Sequence, residues 1–402
     1  MNRSTKTRRR WFQFSVRTLL LFTLVAAVLC AWLGKHVVRT MIERPIVARI
    51  QEAGGSAHYD YQMQPGYVDS SKPPPGPSIV RSIFGDDIYA AVTAVFLNDA
   101  KTTDEDVAEL NKLSELLDLS LHGAGVTDNS VDDLLRIRRL RGLNLDDTSI
   151  TAQGLARLAQ SKTLESLTLR GAGVTDAHMQ QLPRFPNLKY LQIIESQVTD
   201  EGIESLGSMV QLRVLDLFRQ SAITDAGIQT LGELRKLEEL KLAKTGVTGD
   251  SLRTISRFVA LKRLDLMGHP ITDEGIEYLH TLTEMQSLDL SYTKVGDRAL
   301  ETIAHMPRLK YLKLAGTGIT DDGLRHLIPL TELQYVDIGR TSVTDAGLEQ
   351  LHELPRLSLL HVGIGDGITM GGVDGLKTAL PDCAVLCWDF SPAGWGGLIE
   401  TR

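Results

Sequence analysis

Residues able to do covalent or metal chemistry are few and scattered in this 402-residue sequence. The tightest group is His361, Cys383 and Cys387, one imidazole and two thiols that could seat a soft metal but lack a fourth ligand and a compact loop. On an extended strand the two cysteines share a face about 13 Å apart, too far for a disulfide, so a bridge would need a turn or helix. Three cysteines in so long a chain make no disulfide framework. Gly363, Gly365 and Gly367 (GIGDG) have the backbone freedom of a phosphate-cradling loop, yet no lysine follows where one is required, and a tight turn is the simpler reading. No H-E-x-x-H, P-loop, G-x-S-x-G or calcium-loop spacing occurs. The sequence therefore offers no catalytic, metal or cofactor site, and non-enzymatic recognition is what remains.

Recognition has a clearer signature. Aromatic residues are 5% of the chain, yet Tyr190, Phe218, Tyr292, Tyr311 and Tyr335 fall at one recurring place, beside pairs of leucines spaced by two. Ile194, Asp216, Arg219, Asp265, Met267, Asp289, Lys313, Asp337 and Arg340 share that setting. Tyr and Arg anchor interfaces well, and Asp265, Asp289 and Asp337 would form an acidic stripe suited to a basic protein partner.

A repeat must position these residues. Aligned on the Thr of Val/Ile-Thr-Asp, the units fall at Thr103, Thr127, Thr151, Thr175, Thr199, Thr224, Thr248, Thr272, Gly296, Thr320, Thr344 and Thr369. Nine of the eleven intervals are 24 residues and two are 25. Each unit reads L-x-x-L-x-L-x-x-T-x-I-T-D-x-G-L-x-x-L-x-x-L, as in LKYLKLAGTGITDDGLRHLIPL from Leu309 to Leu330. The L-x-L, such as Leu312 and Leu314, predicts a strand with leucines inward and intervening residues outward. Thr148, Thr245, Thr293, Thr317 and Thr341 have hydroxyls able to bond turn backbone and to build a ladder through stacked units. Ala100, Ala124 and Ala172 interrupt that ladder. Thr344 is placed to cap a helix and Asp345 to favour its positive end. Gly202, Gly227, Gly275, Gly323 and Gly347 would let neighbouring helices stack closely, and Leu348, Leu351, Leu354 and Leu357 would bury the inner helical face.

This pattern resembles the leucine-rich repeat family over roughly residues 94–380, in the style of its ribonuclease-inhibitor-like and F-box-associated branch. In that family the Thr position ahead of the next apolar residue usually holds Asn. The start RRWFQFSVRTLL, Arg9 to Leu20, is also similar to that of bacterial membrane-anchored leucine-rich repeat proteins. The resemblance implies an α/β fold: a right-handed horseshoe solenoid of about twelve units, with a parallel sheet on the concave side and helices on the convex side. Twelve strands at about 4.8 Å give an arc of roughly 55 to 60 Å. It also implies a protein partner on the concave face. No F-box-like segment precedes the repeats, so a ubiquitin-ligase adaptor role does not carry over.

Charge separates the ends of the chain. Residues 1–17 hold six basic residues and no acid, so removing +6 from the net −7 leaves −13 for the rest, which disfavours nucleic acid. Residues 18–34 are 17 uncharged residues, a helix of about 25 Å against a bilayer core of about 30 Å. Trp11 and Trp32 lie about 32 Å apart along that helix, one for each interface. The lack of an Ala-x-Ala site favours an uncleaved inner-membrane anchor, with secretion after cleavage as the alternative. The denser basic cluster before the span puts the N-terminus in the cytoplasm and the repeats outside.

Residues 35–93 read as a cap and junction. An amphipathic helix kinked near Pro45 and ended by Gly54 and Gly55 leads to a possible strand at Ala57–Tyr61, then an exposed spacer, QPGYVDSSKPPPGPS. Residues 381–402 break the repeat, and Val385, Leu386, Trp388 and Phe390 would close the open end of the core. The function expected is a membrane-anchored interaction scaffold. An enzyme, or an enzyme's regulator, using the same face is the alternative class.

Overall fold

The computed structural model describes residues 16–64, 67–97, 102–123, 125–364, 367–389 and 398–401. The basic N-terminus with Trp11, Ala100, Ala124, Gly365, Phe390 and the Trp388 side chain lie outside the described set.

Helix α1 runs without interruption from Val16 to Glu52, 37 residues and about 56 Å. Among the described residues it is the one helix long and apolar enough to cross a membrane. Its first half exposes Leu20, Phe22, Leu24 and Val28 to its surroundings. Its second half buries Thr40, Glu43, Ile46 and Ile50 against the start of the sheet. The two segments expected from sequence are thus one helix. Pro45 lies inside it, because packing of Ile46 and Ile50 outweighs the one backbone donor that proline lacks. Burial pushes the Glu43 carboxyl up to about 7. One of its oxygens accepts the Val92 N–H at 3.4 Å and lies 4.0 Å from the Arg39 guanidinium, while the other has no partner.

Strand β1 (Ser56–Tyr59) follows, and then a small hairpin of β2 (Met63–Gln64) with β3 (Tyr67–Val68). The proline-rich stretch is not a plain exposed spacer: it contributes β3 and seats Gly76 against the Tyr89 ring, in a left-handed turn (φ 90°) that leaves no room for a side chain. Short helix α2 (Ser78–Phe84) comes next.

The repeats supply strands β4 (Val92–Phe96), β5 (Asp118–Ser120), β6 (Gly142–Asn144), β7 (Ser166–Arg170), β8 (Tyr190–Ile194) and β9 (Val214–Asp216). They continue as β10 (Glu239–Lys241), β11 (Arg263–Asp265), β12 (Ser287–Asp289), β13 (Tyr311–Lys313), β14 (Tyr335–Asp337) and β15 (Leu359–Ile364). All pair in parallel and in sequence order, and β16 (Ala384–Asp389) extends the row. Antiparallel strands close both edges, β1 on β4 and β17 (Leu398–Thr401) on β16. The free edges of the sheet are thereby moved from the repeat strands onto two four-residue terminal strands, and short edges offer other chains little backbone to pair with. One core runs from Ile46 to Cys387, with Leu312 and Leu314 fully buried as the L-x-L pattern predicts. Cys383 and Cys387 are buried free thiols within it.

Each unit turns from strand to short helix at its Thr-Asp. Thr344 accepts the Ala346 N–H and caps its helix, as expected. The aspartate does more than favour the helix end. Asp321 takes the backbone N–H of Thr344, one unit on, at 2.7 Å and its hydroxyl at 2.6 Å. Asp104, Asp128, Asp176, Asp200, Asp225, Asp297 and Asp345 do the same for the next Thr. Glycine in the first helical turn makes room for this carboxylate: a Cβ on Gly347 would lie 2.2 Å from Asp321 Oδ1. The threonine hydroxyls do bond turn backbone, as expected, but among the described residues they build no ladder from unit to unit. Thr148, Thr293, Thr317 and Thr341 donate instead to carbonyls three residues back in their own units, and Thr245 lies 3.4 Å from the His269 ring.

Candidate functional site

Opposite the helices, the sheet presents two columns of outward side chains. Pairing in register aligns Asp118, Gly142, Ser166, Tyr190, Val214, Glu239, Arg263, Ser287, Tyr311 and Tyr335 in the first. It aligns Ser120, Asn144, Thr168, Gln192, Asp216, Lys241, Asp265, Asp289, Lys313, Asp337 and His361 in the second. Strands five places apart are about 24 Å apart, so Tyr190 on β8 cannot join Tyr311 on β13. The aromatic surface expected from sequence is therefore divided.

Its C-terminal part is a continuous run. The Tyr311 and Tyr335 rings lie 6.3 Å apart, and Tyr335 meets His361 edge to face at 5.1 Å. The Tyr335 hydroxyl is 3.2 Å from His361 Nδ1, and the Asp337 carboxylate is 3.8 Å from the same nitrogen. Burial pushes the Tyr335 phenol well above its usual range. Tyr311 is 46% exposed and free to meet a partner.

The acidic stripe differs from the expected one. Asp216 and Asp289 are buried, and Asp265 and Asp337 are half-buried. Each uses one oxygen to accept a backbone N–H two residues on, from Phe218, Ser291, Met267 and Gly339 at 3.0 to 3.1 Å. These are turns that end the strands, a structural duty that the sequence does not announce. The second oxygens differ. Asp216 meets Gln192 at 2.9 Å and Lys241 at 3.4 Å, and Asp289 meets Lys313 at 3.1 Å. Asp265 has no cationic group within 4.0 Å among the described residues, and burial holds its carboxyl above the ordinary range. Beside it, the small Ser287 between Arg263 and Tyr311 opens a notch of about 170 Å³ that Asp265, Asp289, Lys241 and Lys313 also line.

Past the strands, one residue per unit is left-handed, and six of these are not glycine: Asp147, Glu195, Arg219, Lys244, Tyr292 and Arg340, with φ from 49° to 62°. Each costs about 1 to 2 kcal/mol relative to glycine's free choice. They place Arg219 and Tyr292 on a rim rather than on the strand face. The Tyr292 ring leans over Gly316, where a Cβ would come within 2.6 Å. On the same rim the Arg219 and Lys244 cations stand 5.3 and 5.8 Å from the Phe218 ring, and Glu195 pairs with both Arg170 and Arg219. Ile194 is half-buried at the end of β8, Met267 is 37% exposed, and Arg340 is exposed on the rim.

The residues missed from sequence are Lys241, Glu239, Arg263 and Lys244. Lys241 occupies the slot of Lys313 three units later, so the period itself held the signal. The N-terminal stretch of the face differs in kind: Ser120, Gly142, Asn144, Ser166 and Thr168 are small, and with Met63 and Phe96 they line a shallow trough of about 270 Å³.

A family model described as leucine-rich repeat matches residues 261–279, 281–304 and 305–327. No curated protein matches the chain. Among solved structures, an internalin (inlF) from Listeria monocytogenes has a similar fold, with a TM-score of 0.56 at 19% identity over 79% of this chain and 93% of that one. An internalin C2 (inlC2) from the same organism aligns over 46% of this chain and 74% of that one, at 26% identity and a TM-score of 0.38.

Proposed function

We propose that this leucine-rich repeat protein is a membrane-anchored scaffold that binds a protein partner carrying basic side chains. The binding surface is the strand face, the concave side of a right-handed horseshoe of about twelve units. The observation that supports this most directly is the notch at Ser287: Asp265 and Asp289 sit on adjacent strands, Asp265 lacks a cation, and the exposed Tyr311 stands at its edge. A lysine or arginine entering there gains the second Asp265 oxygen, beside the Asp289–Lys313 pair and next to the Tyr311 strand. Tyr335, Asp337, Lys313 and Met267 frame the same surface, with Tyr190, Asp216, Phe218, Arg219, Tyr292 and Arg340 as its wider margin. No site for catalysis, metal or cofactor enters this reading.

The apolar first half of α1 is the anchor, residues 18–34, with the basic residues 1–17 in the cytoplasm and the repeats outside the inner membrane. Residues 35–93 cap one end of the solenoid at 94–380, and residues 381–402 cap the other.

The test is capture by the detergent-solubilised full chain from an extracytoplasmic extract, followed by stoichiometry of the bound protein. Replacing Tyr311 and Tyr335 by Ala together with Asp337 by Asn should abolish capture, and the exposed Tyr311→Ala alone should weaken it while leaving the unfolding midpoint close to that of the parent. Unchanged capture would move the site to the helical side, and turnover of a small molecule in place of stoichiometric binding would make the face an enzyme's.

A further inference from the structure

Beyond the sheet, the most exposed apolar side chains are not spread over the molecule. Outside the span, Met41 is 69% exposed, Val38 58%, Ile79 70% and Ile83 69%. On the described chain that follows the span only Val259, at 58%, matches them. All four belong to the junction where α1 leaves the apolar segment and α2 packs beside it. On α1, Val38, Met41, Ile42 and Pro45 recur at three- and four-residue steps and are all exposed. They lie on the side away from Thr40, Glu43, Ile46 and Ile50, which dock on the sheet. On α2, Ile79 and Ile83 are one turn apart.

We propose that this junction is a foot that rests in the outer headgroup layer of the bilayer and holds the solenoid close to the membrane surface; it rests on the reading of α1 as a membrane anchor. Three observations select a lipid surface as the occupant. First, the patch is continuous with the span: Trp32, near its outer end, lies 5.6 Å from the Tyr89 ring, and Tyr89 in turn abuts Gly76 just before α2. Second, the depth agrees. Val38, Met41 and Ile42 lie about 6, 10 and 12 Å beyond Gly34 along the helix. A headgroup layer is about 5 to 8 Å thick, so Val38 lies within it, and the tilt of about 20° usual for spanning helices brings Met41 and Ile42 down toward its outer edge on the leaning side. Third, the arginines between α1 and α2 are paired internally, Arg44 on Asp87 at 2.6 Å, Arg81 on Asp86 at 3.1 Å and Arg39 beside Glu43, which leaves the exposed Lys35 as the one cation of α1 at headgroup level without an ion pair among the described residues. With little free charge, apolar contact dominates and anionic lipid is not required.

The experiment uses the full chain with Cys30→Ala, reconstituted in vesicles. Cys383 and Cys387 are 2% and 0% exposed, so a thiol-reactive fluorophore reaches only an introduced cysteine. Single cysteines replace Leu24, Met41, Ile79, Ile83 and Val259 in turn, with lipids brominated near the headgroup or deep in the chain as quenchers. The expected result is strong deep quenching at position 24, shallow quenching at 41, 79 and 83 at least threefold above that at 259, and no dependence on adding phosphatidylglycerol to phosphatidylcholine. Quenching at 24 together with values at 41, 79 and 83 equal to 259 overturns the foot but leaves the anchor. No quenching at 24 overturns the anchor and the foot together. Protection of 79 from aqueous iodide without any lipid quenching assigns the patch to a protein contact, which also overturns it.

Discussion

Aspartate recurs at the same period on both margins of the sheet, and its meaning differs between them. At the helix starts, Asp297 and Asp321 give both carboxylate oxygens to the following unit, to a backbone N–H and a hydroxyl. At the strand ends, Asp265 and Asp337 give one oxygen to their own backbone; the other has no cation within 4.0 Å at Asp265 among the described residues and lies 3.8 Å from His361 Nδ1 at Asp337. The first set joins units and the second ends strands and lines the open strand face. Residue type and period are identical in the two regions, so only the fate of the second oxygen separates a joint between units from a carboxylate on the strand face. Glycine follows most of these carboxylates, as Gly347 does Asp321, while Ser130 and Ser251 take the same place after Asp104 and Asp225.

The largest effect should come from filling that space. Gly347→Ala puts a Cβ 2.2 Å from Asp321 Oδ1 and 2.8 Å from the Val343 side chain, so the carboxylate must leave Thr344. Losing charge-assisted bonds and overpacking the turn should together destabilise by about 3 kcal/mol, read from the denaturation midpoint. Gly275 supplies the contrast, because the preceding unit has Gly249 where others have aspartate, and the nearest atom is a Leu252 methyl at 3.2 Å. Gly275→Ala should cost less than about 1 kcal/mol, as a flexible side chain can yield. Equal costs at the two sites would show that glycine is needed for helix stacking alone.

A gain of stability is expected where the ladder is half-built. Gly296 replaces threonine in its unit, and only its backbone N–H reaches Asp273, at 2.6 Å. Its φ of −125° suits any residue. Gly296→Thr should add the missing hydroxyl bond and reduce the freedom of the unfolded chain, stabilising by about 1 kcal/mol in urea titrations. No gain would mean that the backbone bond already holds the full value of the pair.

Much of this architecture was legible because it is periodic. Leu312 and Leu314 announce an inward-facing strand, and Thr344 announces a helix cap, within a few residues of chain. The Asp–Thr bridge was not legible for a geometric reason: Asp321 and Thr344 are 23 residues apart, and only the stacking of units makes them neighbours. The strand face was partly legible. Tyr311, Tyr335 and Asp337 do come together, whereas Tyr190 shares their column but stands five strands away. Tyr292 and Arg219 were misplaced because their left-handed backbone, ordinarily a glycine's, moves them onto the rim. Continuity of α1 through Pro45 was decided by burial of Ile46 and Ile50 against a sheet that local sequence does not reveal.

The smallest effect tests the comparison most sharply, because its sign reverses between the two margins. Asp265 has its carboxyl raised by burial, so the folded chain holds this proton more tightly than the unfolded chain. Stability therefore falls as pH rises from the unfolded value, about 3.9, through the raised one, and stays lower above it. Asp265→Asn removes that penalty while its amide oxygen still accepts the Met267 N–H. It should stabilise by about 0.5 to 1 kcal/mol at pH 7, with the gain vanishing below about pH 3.5. Asp297→Asn, which replaces two charge-assisted bonds from the Thr320 N–H and hydroxyl with weaker neutral ones, should instead destabilise at pH 7. Urea unfolding of both variants at pH 7, and of Asp265→Asn again at pH 3.5, measures the two signs directly. A loss of stability for Asp265→Asn at pH 7 would place it with the joining aspartates and remove the strand face's claim to a carboxylate kept for a partner.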